Sequence, residues 1–334
     1  MPPSHARNTL PIQRVRAMAE LAVGRGWDVA GILGEVGISP ELLAEGRSRV
    51  TTDQAVALVQ RLWRDTDDEL LGLGLAPVPR GTLRLVCFGL MGAPTLGDGI
   101  RRFESFRRSL PGIPPLTLET EGDEARVRFD LTGIEQPIGL IIDTMLTITH
   151  RYLGWAAGGR LRLRRVEVPY AQDPDIDDYD AIFGAPVVFS MPGPALVFDA
   201  ALLEHPVDRS QDELASFLRN APAGVLGTRD YSVSLASQVR RALERGLSGP
   251  WPSPDDIAAE LAMSPQTLRR RLHDEHTSVT RIREQILRDA AIASLVRGDE
   301  TVTALARRLG FSEASAFSRA FRRWTGSAPG SYQH

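Results

Sequence analysis

With 334 residues the chain is long enough for two domains, and its single cysteine, Cys87, excludes both an intramolecular disulfide framework and a cysteine-rich zinc site. All 39 basic residues are arginine and 42 residues are acidic, giving a net charge of −3 that is unevenly placed. Residues 232–334 contain 15 Arg and 11 Asp or Glu, whereas residues 1–231 contain 24 and 31. This asymmetry is typical of a nucleic-acid-binding module attached to an acidic second domain.

Neither a secretion signal nor a membrane span is visible in the sequence. Residues 1–15 are polar and contain proline, so they do not have the apolar core of a signal peptide. The most apolar stretch, from Pro137 to Trp155, is interrupted by charged and polar residues and is too short and too polar to cross a bilayer. We therefore expect a cytoplasmic protein with no membrane partner.

The first 110 residues are predicted to be helical. Apolar residues recur at helical spacing over 12–23, 29–36, 83–91 and 96–110. Ser39 followed by Pro40 predicts another helix start, because serine caps a helix N-terminus and proline fits its first turn. Thr51 or Thr52 similarly predicts the start of an amphipathic helix that runs through Trp63.

Strand patterns appear after residue 110. Residues 116–120 and 125–131 flank the turn residues Glu121-Gly122-Asp123, which predicts a β-hairpin. The remaining elements predicted in this part are a long apolar helix over 136–157, strands at 161–168, 187–189 and 195–198, a short helix at 175–183 and a helix at 202–218. The N-terminal part is therefore predicted to be a mixed α/β (α+β) domain.

One polar stripe in the long apolar helix is a candidate small-molecule site. Asp143, Thr147 and His150 recur at helical spacing, and Tyr152 lies nearby in the sequence. A few polar groups in an apolar setting are typical of a ligand pocket. The competing interpretation is that Asp143 and His150 pair with other groups in the core or face solvent, because buried polar groups normally find partners.

A change of composition separates the two parts of the chain. Residues 220–227, Asn-Ala-Pro-Ala-Gly-Val-Leu-Gly, are typical of a linker. We therefore predict an N-terminal domain over residues 1–220, a linker over 221–231 and an all-α domain over 232–334.

The all-α domain contains two copies of one pattern. Five residues of the first copy match five of the second at an offset of 48: Ile257, Ala258, Leu261, Met263 and Ser264 with Leu305, Ala306, Leu309, Phe311 and Ser312. Beyond the serine the offset becomes 49, so that Leu268 matches Phe317 and Leu272 matches Phe321. A fixed period with a one-residue slip indicates a duplicated architecture.

Each copy has the pattern of a helix-turn-helix. A short helix with one apolar stripe ends at a turn, where Gly310 of the second copy can adopt the left-handed conformation. A serine follows, Ser264 or Ser312, and is predicted to cap the next helix. The two units are expected at about residues 254–276 and about residues 301–324.

The second helix of each copy has a polar face opposite its buried apolar residues. In the first copy this face consists of Gln266, Arg269, Arg270 and His273, and in the second of Ser315, Ser318, Arg319 and Arg322. Arginine in the major groove can bond guanine bidentately, and glutamine can bond adenine. We therefore predict that these eight residues bind double-stranded DNA, although arginines on an arbitrary helix are more often solvated surface.

The stretch from Gly310 to Tyr332, Gly-Phe-Ser-Glu-Ala-Ser-Ala-Phe-Ser-Arg-Ala-Phe-Arg-Arg-Trp-Thr-Gly-Ser-Ala-Pro-Gly-Ser-Tyr, resembles the signature of the AraC/XylS family of transcription regulators. The resemblance extends back to about Tyr231. It implies seven helices, with a linking helix over about residues 280–297 between the two units. The base-reading positions that it implies are Gln266, Arg269, Arg270, Ser315, Ser318 and Arg319.

Two residues depart from the family pattern. Ala262 stands where many members have glycine, which predicts a turn strained by about 1 kcal/mol. Val279 stands where an aromatic residue is usual, which predicts looser packing under the linking helix.

Residues 10–215 resemble the arabinose-binding-type N-terminal domain of one branch of these regulators. The resemblance rests on Gly26-Trp-Asp-Val-Ala-Gly-Ile-Leu, Thr95-Leu-Gly-Asp-Gly-Ile-Arg-Arg-Phe, Val166-Glu-Val-Pro, Phe183-Gly-Ala-Pro-Val-Val-Phe and Leu196-Val-Phe-Asp. It implies a domain that binds a small effector or mediates dimerisation, without identifying the effector as arabinose.

The two resemblances together imply a sequence-specific transcription regulator that reads a bipartite promoter site and responds to an effector. They imply promoter DNA, RNA polymerase and a second copy of the chain as partners, with no cofactor, no metal and no enzymatic activity. One alternative is a dimerising DNA-binding regulator without an effector. The other is an enzyme fused to a DNA-binding tail, although no nucleophile elbow, phosphate-binding loop or metal-ligand spacing is recognisable.

Overall fold

The computed structural model describes residues 9–132, 134, 139–159, 161–173, 176, 179, 183–219, 235–247, 249–275 and 277–333. The chain divides into two compact units: Met1–Arg16 with Ala22–Gln54 and Ser232–His334, and Ala17–Leu21 with Ala55–Tyr231. The first unit thus combines N-terminal residues with the C-terminal helices. The predicted linker at 221–231 lies outside the described residues, and the predicted domain boundaries stay a prediction.

The N-terminal stretch contains β1 (Thr9–Pro11), α1 (Ile12–Gly24), α2 (Val29–Glu35), α3 (Pro40–Ala44) and β2 (Arg49–Thr51). Ser39 caps α3 and Pro40 occupies its first turn, as the sequence predicted. The prediction that the first 110 residues are helical was wrong at β1 and β2. These strands pair antiparallel, Thr9 opposite Thr51, and three residues are too few to show a strand period in the sequence.

The other helices of the N-terminal two-thirds are α4 (Thr52–Thr66), α5 (Thr82–Leu90), α6 (Leu96–Phe106), α7 (Gly139–Ala156) and α8 (Gln211–Arg219). The strands are β3 (Leu116–Glu121), β4 (Glu124–Phe129), β5 (Leu163–Glu167), β6 (Val187–Val188) and β7 (Ala195–Asp199). They form one sheet in the order β3-β4-β7-β5-β6, in which only the β5–β6 pair is parallel. The mixed α/β prediction is confirmed.

The sheet has an apolar face and a charged face because side chains alternate along β4. Ala125, Val127 and Phe129 are buried in one core with residues of α5, α6 and α7. Arg126 and Arg128 lie on the opposite face, within ion-pair distance of the buried carboxylate of Glu167 on β5. The predicted hairpin is present, and Gly122 in its turn has a φ of +58°.

Two of the predicted helices differ from the helices that the structure describes. The helix predicted over 202–218 is divided into a 3₁₀ helix, Ala200–Glu204, and α8, with Pro206 between them. Proline cannot donate the backbone hydrogen bond that a continuous helix requires there. The short helix predicted at 175–183 lies mostly outside the described residues.

The C-terminal part is all-α, as predicted. Its helices are α9 (Leu235–Glu244), α10 (Pro254–Glu260), α11 (Pro265–Asp274), α12 (Val279–Arg297), α13 (Val302–Arg308) and α14 (Ala314–Thr325). Short 3₁₀ helices lie at Arg245–Leu247 and Pro329–Tyr332. The predicted linking helix corresponds to α12, and the two predicted helix-turn-helix units correspond to α10–α11 and α13–α14.

Candidate nucleic-acid interface

The first helix-turn-helix begins at a strong N-terminal cap. The hydroxyl of Ser253 accepts a hydrogen bond from the N–H of Asp256, and the carboxylate of Asp256 accepts one from the N–H of Ser253. The Ser253 hydroxyl also donates to this carboxylate at 2.7 Å, and this bond, followed by the one from the Ser253 N–H, holds the pKa of Asp256 below its usual value. The reciprocal bonds fix where α10 begins.

The turn between α10 and α11 contains Ala262, whose φ is +52°. An L-residue with a side chain is strained in this left-handed region, as the sequence predicted from the missing glycine. The hydroxyl of Ser264 then accepts a hydrogen bond of 3.1 Å from the N–H of Thr267 and caps α11. Leu268 and Leu272 are buried against Ile257 and Ala258 of α10.

Burial of the two leucines determines which side of α11 is free. All four residues predicted to bind DNA in this unit are exposed: Gln266, Arg269, Arg270 and His273. They share one exposed face of a helix that is capped and packed. Such a face presents amide, guanidinium and imidazole groups that suit phosphates and base edges.

The second unit is held by aromatic residues. Phe317 and Phe321 of α14 are fully buried, and Phe317 contacts Phe311 edge to face with ring centroids 5.5 Å apart. Phe321 contacts Tyr332 in the same manner at 5.3 Å. These contacts fix the rotation of α14, so that Arg319 and Arg322 are exposed.

The start of α14 differs from that of α11. Its N-cap residue is Glu313, whose side chain makes no capping hydrogen bond, so the prediction that Ser312 caps this helix was wrong. The reason is the one-residue slip between the two copies, which places Ser312 one position before the cap. The carboxylate of Glu313 instead accepts a hydrogen bond of 2.9 Å from the hydroxyl of Ser315.

The two serines of α14 that were predicted to bind DNA are less available for contacts with DNA than the two arginines. Ser315 is exposed, but its hydroxyl donates to Glu313. Ser318 is half-buried, and its hydroxyl donates to the carbonyl of Ala314 at 2.9 Å. Arg319 and Arg322 are therefore the longest-reaching of the four predicted groups in this unit.

The linking helix α12 is continuous over 19 residues and connects the two helix-turn-helix units. Ser278 caps its N-terminus, and Gly298, with a φ of +65°, ends it. Ile282 and Ile286 pack in the core of the first unit. Val279, at the position where an aromatic residue is usual, is only partly buried against that core.

The candidate effector residues lie on α7 and are buried: Asp143, Thr147, His150 and Tyr152. The hydroxyl of Tyr170 donates a hydrogen bond to Asp143. The Nε2 of His150 contacts the carbonyl oxygen of Leu161 at 2.8 Å, and because a carbonyl only accepts, the histidine donates. Burial lowers the pKa of His150 to about 4 despite this bond, so the imidazole is neutral at physiological pH.

Tyr152 lies in an aromatic cluster beside these residues. Its ring is 5.7 Å from that of Trp155 and 6.4 Å from that of Phe217. Burial raises the pKa of Tyr152 above its usual value. The polar stripe of α7 therefore lies inside the protein core, and at least Asp143 and His150 already bond to protein groups.

Among the described residues, no group of three or more His, Cys, Asp or Glu side chains is arranged to hold a metal ion. Within the same part of the chain, no helix is both long and apolar enough to cross a membrane.

Comparison with known proteins agrees with the two-part structure. Residues 26–207 match the family described as the arabinose-binding domain of AraC transcription regulators, N-terminal, and residues 257–334 match a helix-turn-helix domain. The chain belongs to the AraC family of transcription regulators. It is a DNA-binding helix-turn-helix regulator, and promoter DNA is its partner.

Similar proteins match over nearly the whole chain. An uncharacterised HTH-type transcriptional regulator of Mycobacterium tuberculosis is 28% identical over 99% of this chain and 97% of its own length. The ornithine utilization regulator of Pseudomonas aeruginosa is 23% identical over 97% of this chain and 96% of its own length. The crystal structure of the transcriptional regulator CdpR from Pseudomonas aeruginosa aligns over 97% of this chain and 98% of its own, with 22% identity and a TM-score of 0.32.

Proposed function

We propose that this AraC-family member reads a bipartite promoter site, with α11 contacting one major-groove segment and α14 the next. The observation that carries the proposal is that each helix buries its apolar residues and exposes arginines, Arg269 and Arg270 on α11 and Arg319 and Arg322 on α14. Because α12 joins the two units, their separation is fixed at about one turn of DNA. The two faces differ in sequence, so the half-site is not palindromic.

The eight predicted residues have unequal roles in this proposal. Arg270 and Arg319, which occupy matching positions in the two copies, contact base edges. Ser315 and Ser318, whose hydroxyls donate within the protein, contribute less to base choice than Gln266 does. Arg322 and His273, which are not among the base-reading positions that the family implies, bind phosphates, which sets affinity and its salt dependence rather than sequence preference.

We also propose that the protein acts in the cytoplasm as a homodimer, contacts RNA polymerase and has no enzymatic activity. Effector binding by the N-terminal domain would shift the population of the state that binds DNA, which requires that the effector bind the two states unequally. The relative from Pseudomonas aeruginosa is named an ornithine utilization regulator, so ornithine and related amino acids are the first effectors to test.

One observation favours the second candidate function, a dimerising regulator without an effector. Asp143 and His150, the polar groups proposed for the effector site, bond to Tyr170 and Leu161 inside the protein. Thermal unfolding of the full chain with each amino acid separates the two candidates, because a ligand of the folded state raises the melting temperature. A rise that Asp143→Asn abolishes supports the effector site, and no rise with any compound supports the second candidate.

The experiment that tests DNA reading is selection of bound fragments from sheared genomic DNA by the full chain. The wild type is compared with the Arg270→Ala/Arg319→Ala double variant and with Arg297→Ala/Arg245→Ala as a control of equal charge loss. We expect the wild type and the control to enrich the same few promoters and the double variant to lose that enrichment. Equal enrichment by all three proteins would overturn the assignment of α11 and α14 as reading helices.

A further inference from the structure

The strands β1 and β2 pack with the C-terminal helices, within the same compact unit. Two strands of three residues have no core of their own, yet Thr9, Arg49, Val50 and Thr51 are all at least 95% buried. The polar groups among them therefore need partners from other elements of that unit.

Arg49 forms hydrogen bonds with residues of β1 and of the C-terminal 3₁₀ helix. Its guanidinium donates to the hydroxyl and carbonyl oxygens of Thr9, at 2.7 and 2.9 Å, and its backbone N–H donates to the hydroxyl of Tyr332 at 3.1 Å. The hydroxyl of Thr9 donates in turn to the carboxylate of Asp289 on α12, at 2.7 Å. Asp289 also lies 3.9 Å from the guanidinium of Arg49, so a buried chain of polar contacts joins β1 and β2 to α12 and to the last turn of the chain.

The residues just before β2 contact the C-terminal end of α14 and the residues after it. The hydroxyls of Ser48 and Ser327 are 3.0 Å apart, and Ser48 also contacts the carbonyl of Thr325 at 3.3 Å. Glu45 approaches the backbone of Gly326 so closely that a Cβ added at Gly326 would lie 2.6 Å from a carboxylate oxygen of Glu45. A further bond runs from the guanidinium of Arg47 to the carbonyl of Arg323 at 3.2 Å.

These contacts lie at the C-terminal end of α14, on α12 and in the last 3₁₀ turn. Three of the four residues predicted to bind DNA in the second unit, Ser315, Arg319 and Arg322, are exposed while the contacts are made. The packing is therefore compatible with DNA binding. It also orders the end of the helix that carries the reading arginines.

We infer that β1 and β2, with residues 45–48 that precede β2, are an intramolecular brace of the second helix-turn-helix, bound to a surface formed by Asp289, Thr325, Ser327 and Tyr332. The DNA-binding unit is thus built from both ends of the chain. The braced state is the state that binds DNA. Releasing the brace leaves the carboxylate of Asp289 and the hydroxyl of Tyr332 without these partners and loosens α14, which weakens DNA binding.

The direct test is a disulfide between the brace and its surface in the full chain. The two serine oxygens are 3.0 Å apart, so the variant is Ser48→Cys/Ser327→Cys, in which the two sulfurs must approach to about 2.05 Å. Cys87 does not compete, because it is buried and burial raises the pKa of its thiol to about 12. Each single cysteine variant serves as a control.

Diamide oxidation is expected to link residues 48 and 327, detected as one cross-linked peptide by mass spectrometry. The oxidised protein is expected to bind sheared duplex DNA within about threefold of the affinity of its reduced form. Failure of the disulfide to form would overturn the docked arrangement. Formation of the disulfide with loss of DNA binding in the oxidised form alone would overturn the claim that the braced state binds DNA.

A second variant tests the brace without new cysteines. Tyr332→Phe keeps the ring against Phe321 but removes the hydroxyl that accepts from Arg49. Amide hydrogen exchange at Thr9, Leu10 and residues 49–51 is expected to accelerate at least threefold, while α10 and α11 are unchanged, and DNA binding is expected to weaken. Tyr170→Phe, which removes a tyrosine hydroxyl bonded to Asp143, is the matched control. Unchanged exchange at both strands in Tyr332→Phe would contradict the brace.

Discussion

Ala262 and Gly310 occupy equivalent positions in the turns of the two helix-turn-helix units, and both have a left-handed backbone, with φ of +52° and +87°. Glycine adopts this region at little cost, whereas alanine is strained by its Cβ. The first unit therefore has a strained turn that the second does not, although the two share one architecture.

We expect Ala262→Gly to stabilise the protein by about 1 kcal/mol, because relief of the strain outweighs the added freedom of the unfolded chain. The matched change, Gly310→Ala, is expected to destabilise it by a similar amount. Urea unfolding of both variants followed by circular dichroism measures the difference. Destabilisation by Ala262→Gly would show that the turn is not strained.

Arg270 and Arg319 are expected to contribute separately to DNA recognition. Each single change to alanine should cost about 1–3 kcal/mol of specific binding and relax base preference at one position of the site. Competition binding with a set of singly substituted sites measures this. Arg297→Ala, at an exposed arginine that pairs with Asp299, controls for loss of charge and should leave base preference unchanged. If Arg270→Ala and Arg319→Ala lower affinity equally at every substituted site, these arginines bind phosphates only.

His150 predicts a pH dependence of stability. Its pKa is lowered from 6.5 to about 4 by burial, so the unfolded chain takes up this proton before the folded protein does. The associated stability is present above pH 6.5 and is lost as the pH falls towards 4, by at most about 1.4 kcal/mol per pH unit.

His150→Gln, whose amide can still donate to the carbonyl of Leu161, should remove this component. The measurement is the free energy of unfolding of both proteins between pH 7 and 5, and the difference between them isolates His150 from the carboxylates. Parallel pH profiles for the two proteins would mean that His150 titrates normally in the folded state.

Glu167 is expected to contribute more to the free energy of unfolding than an exposed carboxylate that pairs with the same arginines. Its side chain is 1% exposed and lies 3.0 Å from the guanidinium of Arg165 and 3.3 Å from that of Arg126. Glu167→Gln should cost about 1–3 kcal/mol, because it removes the charge of the one fully buried carboxylate, among the described residues, that these guanidinium groups contact.

Glu119 provides the matched control, since it lies 3.7 Å from Arg126 but its side chain is 49% exposed. Glu119→Gln is expected to change the free energy of unfolding by less than about 0.5 kcal/mol. Thermal and urea unfolding of both variants would distinguish the two positions. Equal effects would indicate that the burial of Glu167 does not strengthen its ion pairs.

The repeated pattern in the last hundred residues was sufficient to predict both helix-turn-helix units. Apolar spacing, a serine cap and a turn residue act within about 20 residues, so the sequence determines them locally. The helices α10 and α11 lie within the range predicted for the first unit, and α13 and α14 lie within one residue of the range predicted for the second. The exception, the cap at Glu313, shows that a one-residue slip between repeats shifts a terminus while the packed face stays unchanged.

The sequence by itself determined the family, the α/β and all-α classes of the two parts, and which face of α11 and of α14 is exposed. It did not determine where β1, β2 and the residues just before β2 pack. The partners of Thr9, Ser48 and Arg49 lie about 280 residues away, at Asp289, Ser327 and Tyr332. No local pattern encodes such pairs, because a buried polar group in a short strand is stable only where the tertiary structure brings a distant donor or acceptor to it.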